Sequence, residues 1–238
     1  HSFPTRRSSD LLYRNVAKIP DLKSKVYQMK CALYLLNRVF PTTTIGMCLS
    51  LIWQVCRWFA HTLYIGQIIE QALHYSPNFK KTSKLALELE MQIFQRHSGN
   101  QPSVIELLYQ LLLMVNDSFI AKDNRVMCDA YSLLAFIFRW RFPTHQFITR
   151  WLTSRAIHLA ASLDTVYDAT VFHFYMMCKN MSEGNWVPAA KMGNILQQKF
   201  FDHQLLRVYS RCAVDGDFAM VGITFSVMHL AQGRVEDA

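Results

Sequence analysis

Along most of this chain apolar residues recur three and four positions apart, the spacing that lines one face of a helix. The runs "VIELLYQLLLMV" (104–115), "YSLLAFIF" (131–138) and "RAIHLAASL" (155–163) carry it most clearly, and no stretch alternates apolar and polar residues as a half-buried strand does. The pattern predicts helices over 22–38, 44–75, 83–97, 102–116, 124–140, 144–163, 167–182, 186–199, 202–214 and 217–232. Start signals support these boundaries. Thr44 can cap the second helix, Pro102 and Ser103 open the fourth, Thr144 after Pro143 opens the sixth and Asp202 the ninth. The connections are short, so successive helices are expected to pair antiparallel.

A string of helical hairpins closes into a bundle or stacks into a solenoid, and internal repetition favours the second. "GNWVPAA" sets Trp186 two residues and Ala189 five residues after Gly184. "GRVEDA" sets Val235 and Ala238 at the same offsets from Gly233. These are the features of a tight turn between paired helices: Gly allows the sharp exit, the large apolar residue is expected to pack inward, and Ala lets the second helix approach. A weaker copy runs through Ala156, Ala160, Ala161 and Asp164. The two glycines stand 49 residues apart, so the pairs are longer than the 34-residue tetratricopeptide unit they resemble. The expected fold is all-α, antiparallel helical hairpins stacked as a tetratricopeptide-like α-solenoid.

The first eleven residues, "HSFPTRRSSDL", differ in character from the rest of the chain and agree at all eleven positions with one reading frame of a common sequencing adapter. They are read as adapter-derived, which leaves 12–238 as a single helical-repeat region expected to be truncated at both ends.

Composition narrows the function classes. The chain is 51% hydrophobic with eight Gly and seven Pro, the profile of a folded protein. Its net charge of +8 is spread as single Arg residues among apolar ones, the densest cluster being Lys80-Lys81-Thr82-Ser83-Lys84. Such scatter describes a solvated surface more than a nucleic-acid footprint. The six cysteines, 31, 48, 56, 128, 178 and 212, form no CxxC pair and lie in apolar runs, which points to reduced thiols and a cytoplasmic setting. For a membrane span the best candidate is the uncharged 39–56, "VFPTTTIGMCLSLIWQVC". Its Pro, Thr, Ser and Gln make a buried helix the better reading, and the runs at 104–115 and 131–138 are short for a bilayer.

Catalytic chemistry finds no foothold. There is no HExxH or finger spacing around His158, His173 or His203, no GxSxG elbow, and Cys178 sits in the apolar "FYMMCKN". Asp215 and Asp217 read as the surroundings of a helix end at Gly216 and the next helix start. No cofactor or metal is expected. More suggestive are the adjacent Arg and Trp residues at 57–58, 139–141 and 150–151, since Arg beside Trp can grip an acidic peptide or stack on a base. Neighbours on a helix point about 100° apart, so Trp is expected in the helix seam with Arg snorkelling outward. The alternative is a ligand groove built on Arg139, Trp140, Arg150 and Trp151.

Finally, "CALYLLNRVFPTTTIGMCLSLIWQV" (31–55), with Ala32-Leu33, Leu35-Leu36 and Pro41, resembles the segment that enters the helical-repeat region of large signalling ATPases and of soluble, type 10 adenylyl cyclases. "RAIHLAASLDTVYDA", "GNWVPAAKM" and "HLAQGRVEDA" come in an order similar to those arrays. The resemblance implies a non-catalytic scaffold or regulatory region whose partner is another protein or a domain of its own parent. Cyclic AMP synthesis would belong to upstream domains, since GxxxxGK[ST] and a metal-binding Asp pair are absent here and no catalytic residue carries over. The other readings are a stand-alone tetratricopeptide-like adaptor and a basic binder of membrane surfaces or nucleic acid.

Overall fold

The computed structural model describes residues 22–36, 38, 40–41, 43–63, 77–97, 103–164 and 169–201. Among these residues the protein is all-α. Eight helices are present: α1 (Leu22–Leu35), α2 (Thr44–Thr62), α3 (Pro77–His97), α4 (Val104–Ala121), α5 (Asn124–Arg141), α6 (Gln146–Ala161), α7 (Thr170–Ser182) and α8 (Trp186–Phe201). The helices expected over 202–214 and 217–232 lie outside the described residues, as do Gly233, Val235 and Ala238. The chain divides into two compact units, meeting in sequence at Asp123 and Asn124.

Local chemistry explains where the helices differ from the periodicity. The second helix is seen over Thr44–Thr62, and the rest of its expected span, 64–75, lies outside the described residues. Its cap is Thr43, not Thr44: the Thr43 Oγ1 accepts from the Gly46 N–H at 3.1 Å. The third starts at Pro77, six residues before the apolar pattern, because a proline is tolerated in a first turn where no N–H bond is needed. Ser103 caps α4 as expected, with Glu106 three residues on completing the S-x-x-E spacing of a capping box. Thr144 does not cap α6; the cap position is His145, which makes no side-chain cap bond.

In the first unit α4 is central: α2 and α3 pack on it, and α1 packs on α3. Met29 and Leu33 of α1 meet Ala86, Leu89 and Ile93 of α3 in one apolar cluster. The run at 104–115 extends to residue 121, and α4 becomes, among the described residues, the one helix long and apolar enough to cross a membrane. Most of it is buried within the unit, and its last turns bury Asn116, Asp117 and Ser118 completely.

The second unit is built from two hairpins, α5–α6 and α7–α8, joined through contacts of α7 with α5 and α6. Ala130, Ala135 and Ala156 have no exposed surface, the small side chains that let α5 and α6 lie close. The α7–α8 turn obeys the chemistry expected of Gly184. Its φ is +75°, the Gly184 N–H donates to the Met181 carbonyl and the Asn185 N–H reaches back to Asn180, a Schellman ending. Ala189 is fully buried where α8 meets α7. Trp186 departs from expectation: it does not pack inward but keeps 38% of its surface exposed.

Candidate binding groove

Two polar constructions stand out, and they serve different ends. The first is a buried cluster in the first unit. Arg38 grips Asp117 through both sides of its guanidinium, Nε to Oδ2 at 2.7 Å and Nη2 to Oδ1 at 3.1 Å. Arg57 of α2 reaches the same Oδ1 at 3.2 Å. Asn116 donates to the backbone and side-chain oxygens of Gln54 at 3.0 and 2.9 Å. Glu90 of α3 completes the cluster, fully buried, and neither of its carboxyl oxygens meets a donor. Burial, then the neighbouring Asp117 charge, drive its pKa well above the usual carboxylate range, and in its protonated form it can donate to Asp117. Tyr109 is pushed up to about 12 by burial and by the same two acids. For Arg38 burial works against the charge, but the Asp117 carboxylate outweighs it and holds the guanidinium ionised. The cluster is closed to solvent at Asp117 and ties α2, α3, α4 and the segment after α1 together. Its role is structural.

The second construction is open. A cavity of about 560 Å³ lies in the second unit, walled by the C-terminal ends of α5 and α7, the α5–α6 turn and the first turns of α6. Arg139 donates to Ser182 Oγ at 2.9 Å and to Glu183 Oε1 at 3.0 Å. Lys179 donates to the other Glu183 oxygen at 2.9 Å. The Lys179 hydrogen bond, with both cations nearby, holds the Glu183 carboxyl below the usual range. One carboxylate thus latches two cations. Arg150 stands exposed on the α6 wall and has no carboxylate partner among the described residues. Counting Arg139, Arg150, Lys179 and Glu183, the lining carries a net charge of +2. Thr149 and Thr153 form the floor; Thr153 Oγ1 bonds the Thr149 carbonyl at 2.7 Å and the Tyr175 hydroxyl at 2.6 Å, which fixes α6 against α7.

Of the four residues named as a groove from the sequence, Arg139, Trp140 and Arg150 line this cavity and Trp151 does not. Trp151 packs edge-on against Tyr131, centroids 6.1 Å apart, with the Arg155 guanidinium 5.3 Å from its ring. At 150–151 the expected division holds, Arg outward and Trp half-buried. At 139–140 it is reversed. Arg139 is drawn inward by Ser182 and Glu183, and Trp140 is left 56% exposed at the rim. At 57–58 the arginine is again half-buried, drawn to Asp117. Lys179, Ser182 and Glu183 join the site without having been expected there. The i,i+4 spacing of Lys179 and Glu183 is a signal present in the sequence, but their meeting with Arg139 across more than forty residues is not.

Nucleophilic and metal chemistry is not assembled in the described residues. Burial pushes the Cys128 thiol up to about 12 and the Cys178 thiol up to about 11, so both are protonated and unreactive near neutrality. Among the described residues no three His, Cys, Asp or Glu side chains converge to hold a metal ion. His158 lies exposed on α6, while His173 is buried with Nδ1 3.3 Å from Met192 Sδ; His203, Asp215 and Asp217 lie outside the described residues. No protein family, curated protein or solved structure matches the chain.

Proposed function

We propose that this chain is a non-catalytic binding module that uses the groove between α5, α6 and α7 to hold an acidic peptide segment. The observation that carries the reading is the pairing of Arg150, which has no carboxylate partner among the described residues, with a two-cation latch whose single Glu183 an incoming carboxylate can supplement. The exposed Trp140 adds an apolar face at the rim, and Ser154, Thr149 and Gln146 supply neutral hydrogen-bonding groups. Stacked tetratricopeptide-like hairpins are the architecture proposed for the array, supported by the turn at Gly184 and the short hairpin connections. On this reading the chain is the helical-repeat region of a larger intracellular signalling protein of the soluble adenylyl cyclase kind, a proposal that rests on the segments quoted from 31–55, 155–169, 184–192 and 229–238. A stand-alone adaptor uses the same groove.

The test is fluorescence anisotropy of a labelled Asp/Glu-rich peptide titrated with the full chain. Arg150→Glu is expected to weaken binding at least about tenfold, equivalent to about 1.4 kcal/mol, with the helical circular dichroism unchanged. Equal affinity of wild type and variant refutes the groove; ATP turnover by the chain refutes the non-catalytic reading.

A further inference from the structure

The exposed face of α2 is built as a helix-pairing seam. Ile45, Leu49, Ile52, Trp53, Phe59 and Leu63 are each more than half exposed, and Cys56 lies exposed among them. Leaving Trp53 aside, these positions, 45, 49, 52, 56, 59 and 63, are spaced four, three, four, three and four residues apart. That is an unbroken heptad seam of a and d positions, the pattern of a coiled-coil strand. The opposite face already has its partner: Gln54 bonds Asn116, Arg57 bonds Asp117 and His61 stacks on Phe119 with centroids 4.5 Å apart. With that polar face already committed to α4, the apolar seam on the other side remains in water.

We propose that the seam is covered by α2 of a second copy of this chain, the two helices running antiparallel. About a centre at Gln54 the seam maps onto itself: Ile45 faces Leu63, Leu49 faces Phe59 and Ile52 faces Cys56, each an a position against a d position. A two-fold pairing needs such self-complementarity. The flanking e and g positions, Gly46, Cys48, Trp53, Val55, Ala60 and Thr62, carry no charge, so nothing repels a like copy. Antiparallel pairing also opposes the two helix dipoles. The six large apolar side chains, each more than half exposed, present a patch on the order of several hundred Å² per copy, the scale of the roughly 800 Å² a side of a standard interface. A membrane surface fits less well. Helices that lie in the interface carry Lys and Arg on their polar face, whereas the one such residue of α2, Arg57, is committed to Asp117.

The experiment is sedimentation equilibrium of the full chain at micromolar concentration, beside the Leu49→Glu/Phe59→Glu double variant. The expected result is a species of twice the 27.7 kDa chain mass, with dimer dissociation at least about 100-fold weaker in the variant, since charge at a and d positions is left desolvated. Both replaced side chains point away from the unit's core, so circular dichroism should not change. Oxidation of the Ile52→Cys variant tests the register: it is expected to cross-link through Cys56 of the second copy far faster than wild type. A monomeric wild type, a dimer that survives the double substitution, or a monomer that binds phosphatidylserine vesicles through the same residues overturns the proposal. Rapid Cys56-to-Cys56 linkage in the wild type overturns the antiparallel register.

Discussion

Glu90 and Asp117 share one buried pocket, in which Arg38 and Arg57 both bond the Asp117 carboxylate. Asp117→Asn removes the carboxylate that both half-buried guanidinium groups share and is expected to cost about 3–5 kcal/mol, read as a lower denaturant midpoint with an unchanged slope. For Glu90 the folded pKa lies above the unfolded value, so the folded state binds the proton more tightly. Its contribution to stability is therefore full below the ordinary glutamate pKa of 4.5 and is lost as pH rises towards and through the raised folded value. Glu90→Gln should remove that loss. A gain in stability near neutral and alkaline pH that vanishes at acid pH is the expected outcome of thermal melts across pH. The order of residues does not reveal this pocket: Asn116 and Asp117 interrupt an apolar run, which reads as the end of a helix, and only their partners from α2, α3 and the segment after α1 make them interior.

At the level of the single helix, periodicity and capping carry most of the information. Eight of the ten expected helices fall wholly or in part within the described residues, and a helix is found at each. Ser103 and Gly184 are signals with local causes, so they are readable without tertiary structure. Gly184 also makes a clean test. A Cβ there would meet nothing within 4 Å, so Gly184→Ala should cost only the backbone penalty of a positive φ, about 1 kcal/mol in thermal melts, with α7 and α8 otherwise intact. Losing the cap with Ser103→Ala is expected to cost a similar amount, about 1 kcal/mol, seen as a lower melting temperature. The departures from expectation concern side chains that choose between two surroundings. Trp140 and Arg139 take orientations opposite to those expected because helix geometry separates neighbours but does not say which one finds a partner.

For the molecule as a whole the governing quantity is charge, +8 over 238 residues with an isoelectric point near 9.2. Acidic ligands should be attracted broadly, and the groove should add a local component to that field. Raising ionic strength from 50 to 500 mM shortens the screening length to roughly a third, so peptide affinity should fall. The ratio between wild type and Arg150→Glu should narrow with it but persist, because the latch cations are partly buried. Loss of the ratio at 500 mM would assign the binding to the general field. Helicity of the described chain, most of its turns and the cap at Ser103 are legible in the order of residues alone, since they depend on contacts a few positions apart. Folding in three dimensions makes α4 an interior helix, joins Arg139 to Glu183 and Arg38 to Asp117, and turns the heptad seam of α2 outward. The two ion pairs join residues 44 and 79 positions apart, and a periodicity of three and four residues carries no information over such distances.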